Sequence, residues 1–367
     1  MARSQVADWV WDVVIIGGGI AGLSAAVSAS QSGANVLLLE RAPGLGYGAT
    51  GRNAGILGAG VNMPLVNMPK DDPALDLWHS TSELVLKLYQ IADSPHSLLE
   101  AKNVGALSLS TTDAATVRLH KEVAARNKAG LKAEIIAPNV VKEITNAQLN
   151  LRGVKCSLWL PDEGRINPLT LLAHQSKAAQ QAGTTMYGKA EVVRWKEAAA
   201  SVDGVTKSQW VLDLADGTQV RARALIVATG PIEKAHHRIY ALSFRYSFPD
   251  NFPLFWDAAP FTYYDYRSGD GYLTVSGGRY GKAGSTTNDL RYHGAMAAAA
   301  RAWLPDLKLQ DPSHQWAVDL KVSHDMIPAI RKLSKKAPGF AIEGLGALGV
   351  LPGMVLGAQA GRLACRQ

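Results

Sequence analysis

Gly17, Gly19 and Gly22 follow the apolar run Val13-Val14-Ile15-Ile16, and eighteen residues later Glu40 closes a second apolar run, Leu37-Leu38-Leu39. A strand, a G-x-G-x-x-G turn, a small-residue helix and an acidic strand end together have one chemistry in common, the binding of a dinucleotide. Gly17 permits the tight turn out of the strand, Gly19 lets backbone amides approach a pyrophosphate, and Gly22 lets the following helix pack closely. Ile20 and Ala21 open that helix, where unpaired N–H groups and the positive dipole end favour an anion. Glu40, next to Arg41, is placed to accept hydrogen bonds from ribose hydroxyls. A second glycine turn ends the apolar run Ala224-Leu225-Ile226-Val227 as Ala228-Thr229-Gly230, as expected where a parallel strand turns close to a bound cofactor.

The elements that must position these residues are legible in coarse form. Apolar spacing at Leu75, Leu77, Leu84 and Leu88 predicts a helix from about Pro73 to Ala92. A strand at Ala106–Ser110, a helix over Thr112–Lys128 stopped by Gly130, a short helix near Asn139–Ile144 and a strand at Ser157–Leu160 follow. Asn167-Pro168 reads as a helix start, with a stop at Gly183. The period then turns strand-like through Glu191–Trp195, Trp210–Leu214, an Asp216-Gly217 turn and Val220–Ala228. Phe261–Tyr266 and Tyr272–Ser276 flank a Ser268–Gly271 turn, and a helix is expected over 289–304. The last glycines, from Gly344 to Gly361, recur at spacings of two to four and predict a loop entering a helix packed on something flat.

A chain of 367 residues with 47% hydrophobic content supports one large or two smaller domains. Two distant cysteines, Cys156 and Cys365, suggest neither a disulfide framework nor a zinc site. The net charge of +7 is modest and scattered, which argues against nucleic acid. Lys335-Lys336 beside Arg331-Lys332 is a solvated loop or a contact for anionic lipid or an acidic partner. No spanning apolar run and no secretory leader are seen, so a cytoplasmic protein is expected.

In order along the chain, Gly17, Gly19, Gly22 and Glu40, the loop Gly48-Ala49-Thr50-Gly51-Arg52-Asn53-Ala54-Gly55, Glu191-Val192, Ala228-Thr229-Gly230, Asp270-Gly271 through Gly277-Gly278-Arg279, Trp316 with Asp325 and Pro328, and the terminal glycines with Arg362-Leu363 resemble the FAD-dependent oxidoreductases of the D-amino-acid oxidase type. The resemblance implies FAD held also by Thr50, Arg52, Asn53, Ala54 and Gly55, by the Val192 backbone at the adenine, and by Gly346, Gly349, Val350 and Leu351 near the flavin pyrimidine; with no His or Cys in the Gly48–Gly55 loop and Cys365 near the chain end, noncovalent FAD is expected. It implies an α/β fold: a Rossmann-like FAD-binding domain with a parallel sheet from 1–78, 168–230 and 320–367, and an α+β substrate domain from 79–167 and 231–319 whose antiparallel sheet would roof the active site. It also implies a last helix that usually runs on beyond the position of Gln367, so that flavin retention here would be weaker.

The family oxidises a carbon–nitrogen bond by hydride transfer to flavin, and the resulting imine is hydrolysed. Lys321 stands near the place of a carboxylate-binding arginine, and a lysine offers a point charge where an arginine offers a fork. Arg279, Arg52 and Arg267 are further anion clamps. Tyr264, with Tyr263, Tyr266 and Tyr272, is a candidate aromatic wall, although strand alternation lets only about half of such a run face substrate. Arg279, Lys321 and Tyr264 are therefore the catalytic candidates, with no metal. Oxidation of a 2-hydroxyacid or alcohol on the same scaffold, with His324 or His293 as base, and a flavin-binding subunit without turnover are the alternatives. The electron acceptor would be oxygen, a quinone or a protein.

Overall fold

The computed structural model describes residues 9–61, 63–68, 74–202, 205–230, 235–257, 264–321 and 327–366, with backbone alone for 200–202 and 205–207. The elements in chain order are β1 (Val10–Ile16), α1 (Ile20–Gln31), β2 (Val36–Leu39), β3 (Ile56–Leu57), α2 (Ala74–Ala92), β4 (Ala101–Asn103), β5 (Ala106–Ser110), α3 (Asp113–Lys128), β6 (Glu134–Ile136), α4 (Pro138–Ile144), β7 (Cys156–Leu160), β8 (Gly164–Ile166) and α5 (Pro168–Gln181). There follow β9 (Thr185–Tyr187), β10 (Val192–Val202), β11 (Val205–Leu214), β12 (Gln219–Val227), β13 (His237–Arg245), β14 (Leu254–Asp257), β15 (Tyr264–Gly269), β16 (Tyr272–Lys282), α6 (Asp289–Trp303), β17 (His314–Leu320), β18 (Ala329–Lys332), β19 (Gly339–Glu343) and α7 (Val350–Cys365).

Two compact units result, the first from residues 1–52, 169–234 and 321–367 and the second from 53–168 and 235–320. The first segment therefore stops at Arg52, not at the expected residue 78. Strand β3 has its partner in β8, and Trp78, 2% exposed, closes over Gly60 within the second unit.

In the first unit β1 lies between β2 and β12, parallel to both, and its side chains are buried on both faces from Val13 on. Such burial is what an all-apolar parallel strand requires. One edge of β12 is shared: β11 pairs antiparallel with Gln219–Ala222, and β19 pairs parallel with Leu225–Val227. The β10–β11 ribbon thus peels away in time for β19 to enter. Because β1, β12 and β19 are parallel, the turns after Ile16, Val227 and Glu343 all leave the same edge of the sheet, the carboxyl edge where open α/β sheets bind ligands.

The second unit is built on a sheet in the order β17-β13-β16-β15-β14-β5-β7-β6, antiparallel except for β14 with β5. One face carries an apolar core of Tyr240, Leu242, Phe244, Phe255 and Tyr266 with Met296 and Ala300 of α6. A smaller sheet, β3-β8-β4, completes the unit. Among the described residues no helix is long and apolar enough to cross a membrane.

Candidate functional site

The turn after β1 is shaped by atoms that are missing. Gly17 has φ +109°, and a Cβ there would lie 2.6 Å from the Ala228 carbonyl oxygen; one on Gly22 would lie 2.0 Å from the Gly17 carbonyl. Gly19 is different, since its Cβ would meet only Thr50 Oγ1, at 3.1 Å, so that this glycine leaves room over the helix end. It is the N-cap of α1 and, as a glycine, offers no side-chain cap of its own. The Ile20 N–H donates to Thr50 Oγ1 at 3.1 Å. The N–H groups of Ala21 and Gly22 have no acceptor among the described residues. Helix-end donors of this kind are available to an anion.

Glu40 is 9% exposed, and its two carboxylate oxygens accept the N–H groups of Gly18 and Ala42, each at 2.8 Å. Each oxygen keeps a lone pair for a hydroxyl, and the backbone fixes the carboxylate's orientation. Gly18 was not singled out from sequence; its N–H is what orients Glu40. Arg41 is exposed. Ala228 donates its N–H to Ile16 at 2.8 Å, and Thr229 and Gly230 stand exposed beyond β12. Val192 is half-buried where β10 shifts register against β11.

Helix α7 begins after Gly346, φ +58°, with Gly349 as an N-cap lacking a side-chain bond. Val350 and Leu351 offer N–H groups with no recorded acceptor among the described residues, and Pro352 has none to offer. The helix packs on another helix, α1, and not on the flat surface expected from its glycines. Gly353 meets Ile20 and Ala21, Gly357 meets Ala21 and Ser24, and Gly361 meets Ala25, Ser28 and Ala29, so the two helices run parallel with their N-termini together. Two positive dipole ends side by side repel unless an anion lies between them. That arrangement fits a cofactor with a pyrophosphate at one end and, at the other, a ring that becomes negative on reduction.

The glycine-rich loop divides between the units. Arg52, in the first, is exposed, with its guanidinium 5.0 Å from the Tyr47 ring centre. In the second, Asn53 Oδ1 accepts the Gly55 N–H at 2.8 Å across the part-buried Ala54. Gly55 has φ +72°, and its Cβ would lie 2.2 Å from the Ile166 carbonyl and 3.2 Å from Arg267 Nε. Arg267 is 7% exposed and already engaged by Ile166 O at 3.2 Å and Asp270 at 2.9 Å. It supports the loop and is not a free anion clamp.

Of the catalytic candidates, Arg279 and Tyr264 belong to the second unit and Lys321 to the first. Arg279 sits on a bulge: Tyr240 pairs with Gly277 and Arg238 with Gly281, so Gly278, Arg279 and Tyr280 stand opposite a single residue. Gly277 and Gly278, at φ +94° and +77°, make the bulge possible. Its guanidinium is exposed and has no ion pair among the described residues. Tyr264 is 7% exposed in the apolar core, its ring filling the space that Gly278 leaves, so it does not stand in an open wall. Burial raises its phenol pKa, and Asp257 adds to the rise while Arg279 opposes it. Tyr266 is likewise core. Lys321 is half-buried and belongs to the first unit. His293 is buried, with Nε2 3.0 Å from the Trp316 carbonyl. Tyr263, His324 and Asp325 lie outside the described residues. No group of three or more metal-ligating side chains occurs among the described residues.

The fold has close counterparts. Glycine oxidase from Geobacillus kaustophilus superposes with a TM-score of 0.80 at 18% identity, covering 97% of this chain and 95% of that one. L-proline dehydrogenase from P. horikoshii gives 0.78 at 17%, covering 96% and 93%. L-alpha-glycerophosphate oxidase from Mycoplasma pneumoniae, a structure with FAD bound, gives 0.76 at 14%, covering 98% and 96%. In sequence, a fumarate reductase (cytochrome) of Shewanella frigidimarina is 28% identical over 158 residues, 39% of this chain and 27% of that protein, so the match spans about a quarter of the curated relative's length. The family model described as FAD dependent oxidoreductase (DAO) matches residues 12–363, from within β1 to the last turn of α7, and the chain is an enzyme belonging to that FAD-dependent family.

Proposed function

We propose that the enzyme oxidises the carbon–nitrogen bond of an amine or amino acid to an imine, which water hydrolyses to a carbonyl compound and ammonia or a smaller amine. When bound, FAD supplies the two-electron acceptor for hydride from the substrate α-carbon. The protein's share is to hold that carbon in place, keep the amine neutral and exclude bulk water, which requires no strong acid–base pair. Arg279 carries the reading: an exposed guanidinium re-aimed by a two-glycine bulge and without an ion pair among the described residues suits an anionic group such as a substrate carboxylate. Glycine oxidase and L-proline dehydrogenase among the similar structures support it.

Oxidation of a hydroxyl is favoured by the likeness to L-alpha-glycerophosphate oxidase. It needs a base at the hydroxyl, and His293 is held by the Trp316 carbonyl. Anaerobic mixing with amines, both enantiomers of amino acids, 2-hydroxyacids and glycerol 3-phosphate separates the two. Bleaching of the flavin with release of ammonia or an amine is expected; bleaching by hydroxy compounds alone overturns the reading. Oxygen, a quinone or a protein then reoxidises the cofactor.

FAD is held without a covalent bond in this reading. Cys365 lies at the far end of α7, about 22 Å from its N-terminus at a rise of about 1.5 Å per residue, and Cys156 is buried in the second unit. Acid precipitation should leave the flavin in the supernatant.

A further inference from the structure

The large sheet of the second unit has two unlike faces. Tyr264 and Tyr266 point into the core with α6, so the residues between and after them, Asp265 and Arg267, point to the other face, beside Ser276 and Thr274 across the β15–β16 pair. On that face Arg267 presses on Gly55, in the Asn53–Gly55 loop that resembles a flavin-binding loop. Its Nε is buried and without an acceptor.

Asp265 is unlike the other buried carboxylates of this unit. Asp257 accepts hydrogen bonds from the Tyr266 hydroxyl, at 3.3 Å, and from the Trp303 indole. Glu163 is held by Arg126 at 3.0 Å. Asp265 is half-buried and has no hydrogen bond or ion pair among the described residues. Burial, with Asp257 and Glu163 adding negative potential, pushes its pKa up to about 7. The same carboxylate helps raise the phenol pKa of Tyr280, whose ring lies 5.0 Å from that of His237. A partly desolvated carboxylate left without a cation is costly in a folded protein, and a ligand that brings a positive charge removes the cost.

We propose that Asp265 is a specificity-determining residue that binds a second, distal positive charge on the substrate, so that the enzyme takes diamines or basic amino acids in preference to uncharged counterparts. The proposal rests on the carbon–nitrogen-oxidising reading above. The distal ammonium docks on the carboxylate while the reacting amine is held elsewhere, and the chain length between the two nitrogens becomes a selection rule.

The test uses the FAD-loaded full chain and matched pairs differing by one charge: 1,4-diaminobutane against n-butylamine, and ornithine against norvaline in both enantiomers, read by anaerobic flavin bleaching. The expected result is a cationic member favoured by about 10- to 100-fold in the bimolecular reduction rate, as for a charged hydrogen bond. Asp265→Asn should abolish the preference, and Asp265→Glu should retain part of it. Equal rates within each pair, or an unchanged preference in Asp265→Asn, overturn the proposal and leave the carbon–nitrogen reading standing. Bleaching by no amine or amino acid overturns both.

Discussion

In the first unit α1 and α7 meet through Ala21, Ala25 and Ala29 on one side and Gly353, Gly357 and Gly361 on the other, and the neighbours closest to Gly357 and Gly361 are backbone atoms and small side chains. In the second unit α3 is tied down by charge: Arg126 bonds Glu122 at 2.9 Å and Glu163 at 3.0 Å, with all three side chains 11% exposed or less. Glu122 also accepts the N–H groups of Leu65 and Val66. The first unit is thus shaped by leaving atoms out, so that backbone reaches backbone. The other unit is shaped by placing charges, which costs desolvation but directs side chains. Additions should injure the first and deletions the second.

The largest effect is expected from Arg126→Met. It leaves Glu122 and Glu163 buried together without their cation, and Glu163 already has a raised pKa from burial despite Arg126. A loss of about 3–5 kcal/mol in urea unfolding is expected, whereas Glu163→Gln, which removes one of two competing negative charges, should cost far less. If both cost the same, the charge argument is wrong.

Next comes Gly357→Ala. The new methyl would stand 2.2 Å from the Ala21 carbonyl oxygen, whereas one at Gly353 has its nearest neighbour at 3.4 Å. Gly357→Ala should cost about 1–3 kcal/mol and weaken FAD binding. Gly353→Ala should be neutral or stabilising by up to about 1 kcal/mol through helix propensity. Thermal melts with and without added FAD read both.

Glu40→Gln leaves one of the Gly18 and Ala42 N–H groups without its acceptor. FAD affinity, followed by flavin fluorescence, should fall by about 10- to 100-fold. An unchanged affinity would mean that Glu40 only braces the turn.

The smallest effect is a pH dependence. Burial, with the negative charges of Asp257 and Glu163 nearby, raises the Asp265 pKa to about 7, and Tyr280 is the phenol that its charge reaches. A carboxyl whose folded pKa lies above its unfolded value binds the extra proton in the folded state. Its contribution to stability is full below the unfolded pKa, near pH 4, and is lost as pH rises towards 7. Asp265→Asn should therefore melt roughly 2–4 °C higher than the parent at pH 8, with the gap closing towards pH 4. A gap independent of pH would place the effect in packing.

Much of the candidate cofactor site is legible as local pattern because local backbone builds these elements. The turn at Gly17–Gly22, the Glu40 strand end, the Asn167-Pro168 helix start and the Asp216-Gly217 turn each involve residues close in the chain. Segment 53–78 was misplaced because β3 pairs with β8, more than a hundred residues away. Tyr264 looked like a substrate wall because alternation shows which residues share a face, and not which face is covered by α6.

The amino-acid sequence by itself determined that an apolar parallel strand turns over glycines into a helix with a glycine N-cap, with a carboxylate at the next strand end, since φ freedom, strand period and helix-end polarity are properties of short segments. Tertiary structure alone decided that α7 lies parallel on α1, that Arg267 is committed to the loop, that Arg279 rides on a bulge and that Asp265 has no partner among the described residues. Those outcomes depend on which distant surfaces meet, and a carboxylate's role follows from the cations that packing does or does not bring to it.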